Sequence, residues 1–556
     1  MNLIGNINAI PFRRFRGGGG VAPIPPFPSV TGMIARYSAL GLTNEQMAEN
    51  PIWKDLTGNG HDLQMKNFAW KGMSGVGGYV GDFSKWVNNR DTTEIGITKS
   101  NSKVIIDVKV SQGSGKNIVF ISKSNLGISN NVTIKITSTY PEGVMKFANS
   151  ASNKYLKLPS NGIITLQGNP EYTSNEMHLH LASADLGQIT IEQLPLYPGA
   201  LVFDGVDDYG VCDNFPILTK EKGYTVVALR QWITRGERAL GLVSNVKDWL
   251  KDGAFLLEYR NIQADHLNKP ISFGAIGREM DLPHILTYQT SKSCNGVSIT
   301  TGNFEGTDVL HVGKLAPTNV GTCINAVIWE LVFLDHDATE EELTKIKDYF
   351  VKTYPWLFPY QAWTVVGKTN EDEDRATIAN ITGNGNDLVL SNFGFIEGSG
   401  YNEEGEYAGY LVTDGVDDKI ASSDFKMGKD FTIVGDWKFI DNKKSSTGLV
   451  KASSFFIYNT MIGLDLYINS GSAANSLDGI KSINAACSDG RVYDRNWNEI
   501  LANTGNIVSS GDMLEVSSSG GRFDRIAFKN LSIYPRILSK DDCIKAYNYL
   551  QTLKAK

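Results

Sequence analysis

The sequence predicts an all-β protein made of β-sandwiches, and three observations carry that reading. Glycine is abundant at 56 of 556 residues, aromatic residues make up 10%, and only 18 residues are proline, a composition of short strands joined by tight turns. Runs that alternate apolar and polar residues recur at roughly ten-residue spacing. Two long stretches of the chain also repeat one another, block by block. With 41% hydrophobic and 20% charged residues the chain has enough apolar material for real cores, which excludes disorder over most of its length. The balance of 53 basic and 60 acidic residues gives a net charge of −7, without the basic footprint of a nucleic-acid binder.

Taken in order, residues 1–30 read as a separate tether. Phe12, Arg13, Arg14, Phe15 and Arg16 precede the flexible run Gly17 to Gly20 and the stiff set Pro23, Pro25, Pro26 and Pro28. The opening residues do not have the pattern of a secretory signal, because the arginines follow the apolar stretch and asparagines interrupt it. No stretch approaches the roughly 18 apolar residues of a membrane span, so membrane insertion is not expected. The five cysteines, Cys212, Cys294, Cys323, Cys487 and Cys543, are scattered and form no CxxC pair, so free thiols from a reducing compartment are expected.

The repeat begins with Thr57-Gly58-Asn59-Gly60, running to Asn67-Phe68, which recurs as Thr382-Gly383-Asn384-Gly385, running to Asn392-Phe393; eight of the twelve aligned positions are identical. Leu201 to Asp208 recurs as Leu411 to Asp418, each ending in Asp-Gly-Val-Asp-Asp, and Tyr224 to Val227 matches Phe431 to Val434. Residues 326–335 and 526–535 alternate as strands. Each is followed by a helix start, with Thr339 three residues before Glu342 and Ser539 three before Asp542. Thr57 and Leu201 are 144 positions apart but Thr382 and Leu411 only 29, which exposes an insertion in the first copy. The expected organisation is a tether over 1–30, a first sandwich over 31–83 plus 200–358, an inserted smaller sandwich over 84–199, and a second sandwich over 359–556. Seven alternating runs, from Lys103–Val110 to Gln188–Leu194, supply the insert's strands, and it is expected to project sideways from its host.

The two Asp-Gly-Val-Asp-Asp turns offer carboxylates at Asp204, Asp207 and Asp208 and at Asp414, Asp417 and Asp418. They read either as calcium ligands converging from a loop or as side chains that hold the amides of their own turn. Both readings are open at sequence level; no other cofactor is implied. No paired carboxylates, zinc set, phosphate loop or nucleophile elbow with workable spacing is present, Glu330 with Asp335 being the nearest pair, so the chain is not expected to be an enzyme.

The order of these blocks resembles a known family. Trp53, Asp55 and Thr57 to Gly60, then Phe203 to Tyr209, then a Tyr-Thr-Val strand, a last strand and a Thr/Ser-x-x-acid helix are similar to the laminin-G-like, concanavalin A-like lectin/glucanase jelly roll. The resemblance covers both repeats and implies two such jelly rolls in tandem, each closed by a short C-terminal helix. The second copy departs from it where Lys419 replaces the tyrosine. The whole layout also resembles virion fibre proteins, of head or tail, from the crAss-like phages of gut bacteria. That likeness implies an appendage made in the host cytoplasm and carried on the virion, docked to other virion proteins through residues 1–30. It also implies a homo-oligomer, dimer or trimer, whose outward sandwiches bind host surface polysaccharide. A bacterial polysaccharide-binding surface protein and a glycan depolymerase are the alternatives. Since a flat ring stacks on a pyranose, Trp86, Trp232 and Trp497 are the candidate glycan contacts.

Overall fold

A computed structural model of the chain describes residues 25–555 with interruptions, the longer ones being 89–93, 122–131, 167–176, 234–239, 246–255, 260–273, 276–285, 299–306, 315–322, 441–446, 469–475 and 502–512. The protein is all-β apart from short helices, and it divides into two compact units, Met1–Gly78 with Tyr197–Phe358, and Tyr79–Leu196 with Pro359–Lys556.

The first unit is a sandwich of an eight-stranded and a seven-stranded sheet. At the centre of the larger sheet lies Asn325–Leu334, in which nine of ten residues are buried. Thr225–Trp232 flanks it on one side; Met33–Ser38 and Leu201–Asp204 share its other side, all antiparallel. The facing sheet runs through Leu63–Lys66, Tyr209–Cys212, Leu310–Val312 and Leu240–Ser244. Trp53, Phe203, Phe215, Trp232 and Phe333 fill the space between them. Helix α1 (Asn44–Glu49) starts on a full capping box made by Thr43 and Gln46. Its Thr-x-x-Gln signal stands in the sequence, but six residues are too few for an apolar period to show. Helix α2 (Glu340–Thr353) begins at Thr339, whose hydroxyl accepts from the Glu342 amide while Glu342 accepts from the Thr339 amide.

The second unit holds two sandwiches. Residues of the insert form two five-stranded sheets, and the alternation read from the sequence is visible in them: Val104, Ile106 and Val108 point inwards against Ile134, Ile136, Ile189 and Ile191. The C-terminal sandwich repeats the first, with Ile526–Tyr534 between Thr432–Phe439 on one side and Gln361–Thr364 and Tyr410–Val412 on the other. Helix α3 (Lys540–Leu550) starts at Ser539, which accepts from the Asp542 amide; the shorter acid does not return the bond, so the box is half made. The insert does not stand free within this unit. Thr133 donates to Asn548 Oδ1 of α3 at 2.7 Å, and Asn548 Nδ2 reaches Pro195 O at 3.4 Å.

Candidate functional site

The same tip is built once in each jelly-roll sandwich, from the Asp-Gly-Val-Asp-Asp turn and the loop that follows Asn-Phe. In the first, Gly205 takes φ +81° to turn the chain, and an added Cβ there would come within 2.8 Å of Asn325. Asp208 is fully buried beneath the turn. Its Oδ2 accepts from the Asp204 amide at 3.0 Å and its Oδ1 from the Ser74 hydroxyl at 3.0 Å, while Asp204 Oδ1 accepts from the Val206 amide at 2.8 Å. In the second, Asp418 accepts from the Asp414 amide at 2.7 Å and the Ser399 hydroxyl at 3.1 Å, and Asp414 from Val416 at 2.7 Å. Burial pushes the Asp208 carboxyl up to about 7 and the Asp418 carboxyl up to about 6, against the hydrogen bonds that favour their charged forms.

This arrangement gives four of the six aspartates a part in holding their turns. Each triad has carboxylate oxygens within 4.8 Å of one another, the grouping a cation would need. Yet both oxygens of Asp208 and one of Asp204 are committed to hydrogen bonds within the tip, and so are their counterparts Asp418 and Asp414. Calcium takes about six to eight oxygens. Three carboxylates fall short of that number, and four of the six hold amides or hydroxyls of their own tip.

The second wall of each tip was not legible as a site. Asn67 Nδ2 donates to Asp207 O at 3.1 Å, and Asn392 Nδ2 to Asp417 O at 3.0 Å, tying the loop to the turn. Three residues past each asparagine comes an aromatic residue in left-handed backbone, Trp70 and Phe395, both at φ +51°. Bulky residues rarely adopt that conformation, and it costs on the order of 1 kcal/mol or more. Trp70 lies half-buried, stacked on Phe68 at 4.7 Å; Phe395 lies half-buried beneath the Arg375 guanidinium at 5.1 Å. On the turns to which these loops are tied, Val206 and Val416 stand 69% and 71% exposed, the most exposed large hydrophobic residues in the described structure. The repeated Asn-Phe-x-aromatic spacing was the signal for this wall.

The tryptophans expected to touch sugar are elsewhere. Trp86, Trp232 and Trp497 are at most 1% exposed, so the expectation is corrected: Trp86 packs on Phe83 in the insert's core, Trp232 lies between the sheets of the first sandwich, and Trp497 meets Tyr547 of α3 edge-on at 5.7 Å. Their area is worth more buried than exposed, and nothing in their local sequence separates a core position from a surface one. Phe12, Arg13, Arg14, Phe15 and Arg16 lie outside the described residues. Glu330 and Asp335 are not brought together. Glu330 is buried under α2, bound by Arg36 at 3.0 and 3.3 Å, Tyr354 at 2.9 Å and Ser38 at 3.2 Å; Asp335 is largely exposed beside His336.

No known family and no curated protein matches the chain. Among solved structures it is similar to Trypanosoma rangeli sialidase in complex with sialic acid, at 11% identity and TM-score 0.26, over 83% of this chain and 85% of that one. It is also similar to the binding domain of botulinum neurotoxin serotype D, at 10% identity and TM-score 0.22, over 62% of this chain and 90% of that one. With sialidases among its structural neighbours, the expectation that the chain is not an enzyme is withdrawn. At these TM-scores the likeness supplies no activity in its place.

Proposed function

We propose that the protein is a phage virion appendage, a head or tail fibre, which docks to the particle through residues 1–30 and binds host surface glycan at the tips of its two jelly-roll sandwiches. The observation that carries the binding half is the duplicated tip: a half-buried aromatic residue at φ +51° in a loop tied by an asparagine to a turn with an exposed valine and an exposed carboxylate, Asp207 or Asp417. A ring takes the apolar face of a pyranose, and the carboxylate accepts from its hydroxyls. Two tips per chain, multiplied in a dimer or trimer, turn weak single contacts into firm attachment. The virion half rests on the tether of arginines, glycines and prolines ahead of tandem sandwiches, and on the resemblance to phage fibres.

Binding of the full-length protein to purified host capsular and cell-wall polysaccharides tests the first half. Trp70→Ala and Phe395→Ala are expected each to weaken binding about tenfold, measured well below the melting temperature, which falls because both rings pack against the sandwich cores. Undiminished binding by both variants, or none by the parent, would refute the tip assignment. Release of oligosaccharide in the same mixture would replace this reading with that of a depolymerase. For the second half, the protein is expected among the components of purified virions and a chain lacking residues 1–30 is expected to be missing from them. Finding the parent only on bacterial surfaces would favour the bacterial alternative.

A further inference from the structure

Two of the buried thiols meet where helix α3 enters the second sandwich. Cys487 closes strand Ile483–Cys487 and pairs in register with Thr432 on the neighbouring strand. Thr432 holds the approach to the helix: its hydroxyl donates to Arg536 O at 2.9 Å and accepts from the Leu538 amide at 2.9 Å. That brings Cys487 Sγ within 3.5 Å of Thr432 Oγ1 and 4.0 Å of Leu538 O, immediately ahead of the Ser539 cap. Cys543 sits one turn into α3, its amide bonded to Ser539 O at 2.9 Å, with its side chain turned inwards. The two side chains face each other within interacting distance, and both residues are 0% exposed.

The first sandwich has the same frame without the sulfurs. Thr225 donates to His336 O and accepts from the Ala338 amide, both at 2.7 Å, and pairs in register with Thr290; Leu343 occupies the position one turn into α2. Threonine and leucine suffice to seat the helix there. A pair of cysteines at both facing positions of one copy adds something that packing alone does not require.

We propose that Cys487 and Cys543 are a disulfide site, open in a reducing medium and closed in an oxidising one, which staples the first turn of α3 to the sheet. The oxidant is a low-molecular-weight disulfide. The Cys487 thiolate attacks one of its sulfurs and expels a thiolate, giving a mixed disulfide. Cys543 passes its proton to that expelled thiolate and attacks Cys487 Sγ, releasing the second small thiolate, which takes up from solvent the proton that Cys487 had given to it. Two protein thiols are oxidised by two electrons and one small disulfide is reduced to two thiols. The facing Cys543 side chain draws the Cys487 thiol below its usual range despite burial, with the Arg491 guanidinium assisting, whereas burial pushes Cys543 up. Asp489 and Asp542 oppose the thiolate from the strand end and the helix start. Because both sulfurs are sealed, closure takes place as α3 docks or when its first turn opens. The proposal is independent of the virion reading and needs only an oxidising medium.

The test uses the full-length protein, both held folded and refolded from denaturant, in buffer containing oxidised glutathione. Thiols are then counted after denaturation, and linked peptides are identified by mass spectrometry. The expected result is a fall from the five cysteines of the sequence to three free thiols, with one peptide pair joining Cys487 to Cys543. The melting temperature should rise by several degrees and return on reduction. Cys487→Ser and Cys543→Ser should each keep all their remaining thiols free and lose the rise. Five free thiols after both treatments, a link between any other pair, or a link that lowers the melting temperature would overturn the proposal.

Discussion

Asp208 and its neighbour Asp207 differ by one position and do opposite things. Asp208 satisfies an amide and a hydroxyl from beneath the turn, so truncating it strands both donors, whereas Asp207 faces solvent. Asp208→Ala should cost about 2–3 kcal/mol in a denaturant titration, and Asp207→Ala should stay within about 0.5 kcal/mol. His311 gives the first sandwich an acid sensitivity. Burial, with help from Lys314, lowers it to about 4, while in the unfolded chain it titrates near 6.5. The native state thus favours the neutral ring. Its contribution is complete above about pH 6.5 and declines as the pH falls towards 4, by at most about 3 kcal/mol. Asp208 and Asp418, raised in the native state, act in the opposite sense over the same range, so the His311 share is read as the difference between melting scans of the parent and of His311→Leu, which should widen as the pH falls from about 6.5 towards 4. The aspartate turns were legible as turns because glycine and aspartate at that spacing have few other uses. Whether their carboxylates were free for a cation was not, since Ser74 and Ser399 come from other segments.

The elements were legible where their signals are local. Thr339 and Glu342 announce α2, and period-two alternation announces the insert's strands, because both depend on residues a few positions apart. What clamps an element to its sheet was hidden. Glu330, on the central strand of the first sandwich, is reached by Arg36 on the adjacent strand and by Tyr349 and Tyr354 at the far end of α2. Burial alone would raise its carboxyl; the guanidinium opposes that. Glu330→Ala leaves that guanidinium without its partner, and a loss of about 3–5 kcal/mol is expected in equilibrium unfolding. Replacing both charges, with Arg36→Met and Glu330→Leu together, should cost less than the single change. The second sandwich supports this ranking, since Asn530 stands at the matching position and reaches Leu550 O at 3.5 Å without any charge.

At the scale of the molecule, the repeat told that one sandwich design occurs twice, and the difference in spacing told where the third enters. Neither could tell that the insert rests on α3, because the contact joins residues 415 positions apart and a lone asparagine near a helix end reads as a solvated one. Thr133→Val and Asn548→Ala should therefore be non-additive, with a coupling of about 1 kcal/mol in a double-mutant cycle. Hydrogen exchange should rise in both the insert and α3 when either is changed.

That contact also has a schedule. Pro195 is synthesised 353 residues before Asn548, so at roughly 5–20 residues per second the insert waits on the order of 20 to 70 seconds for its seat. A greasy docking face would be an invitation to aggregate throughout that interval. The hydrogen-bonding groups that meet α3, Thr133 with Thr165 beside it, are hydroxyls that water can satisfy meanwhile. A nascent chain stopped short of α3 would lose the seat and leave the waiting surface wet rather than sticky.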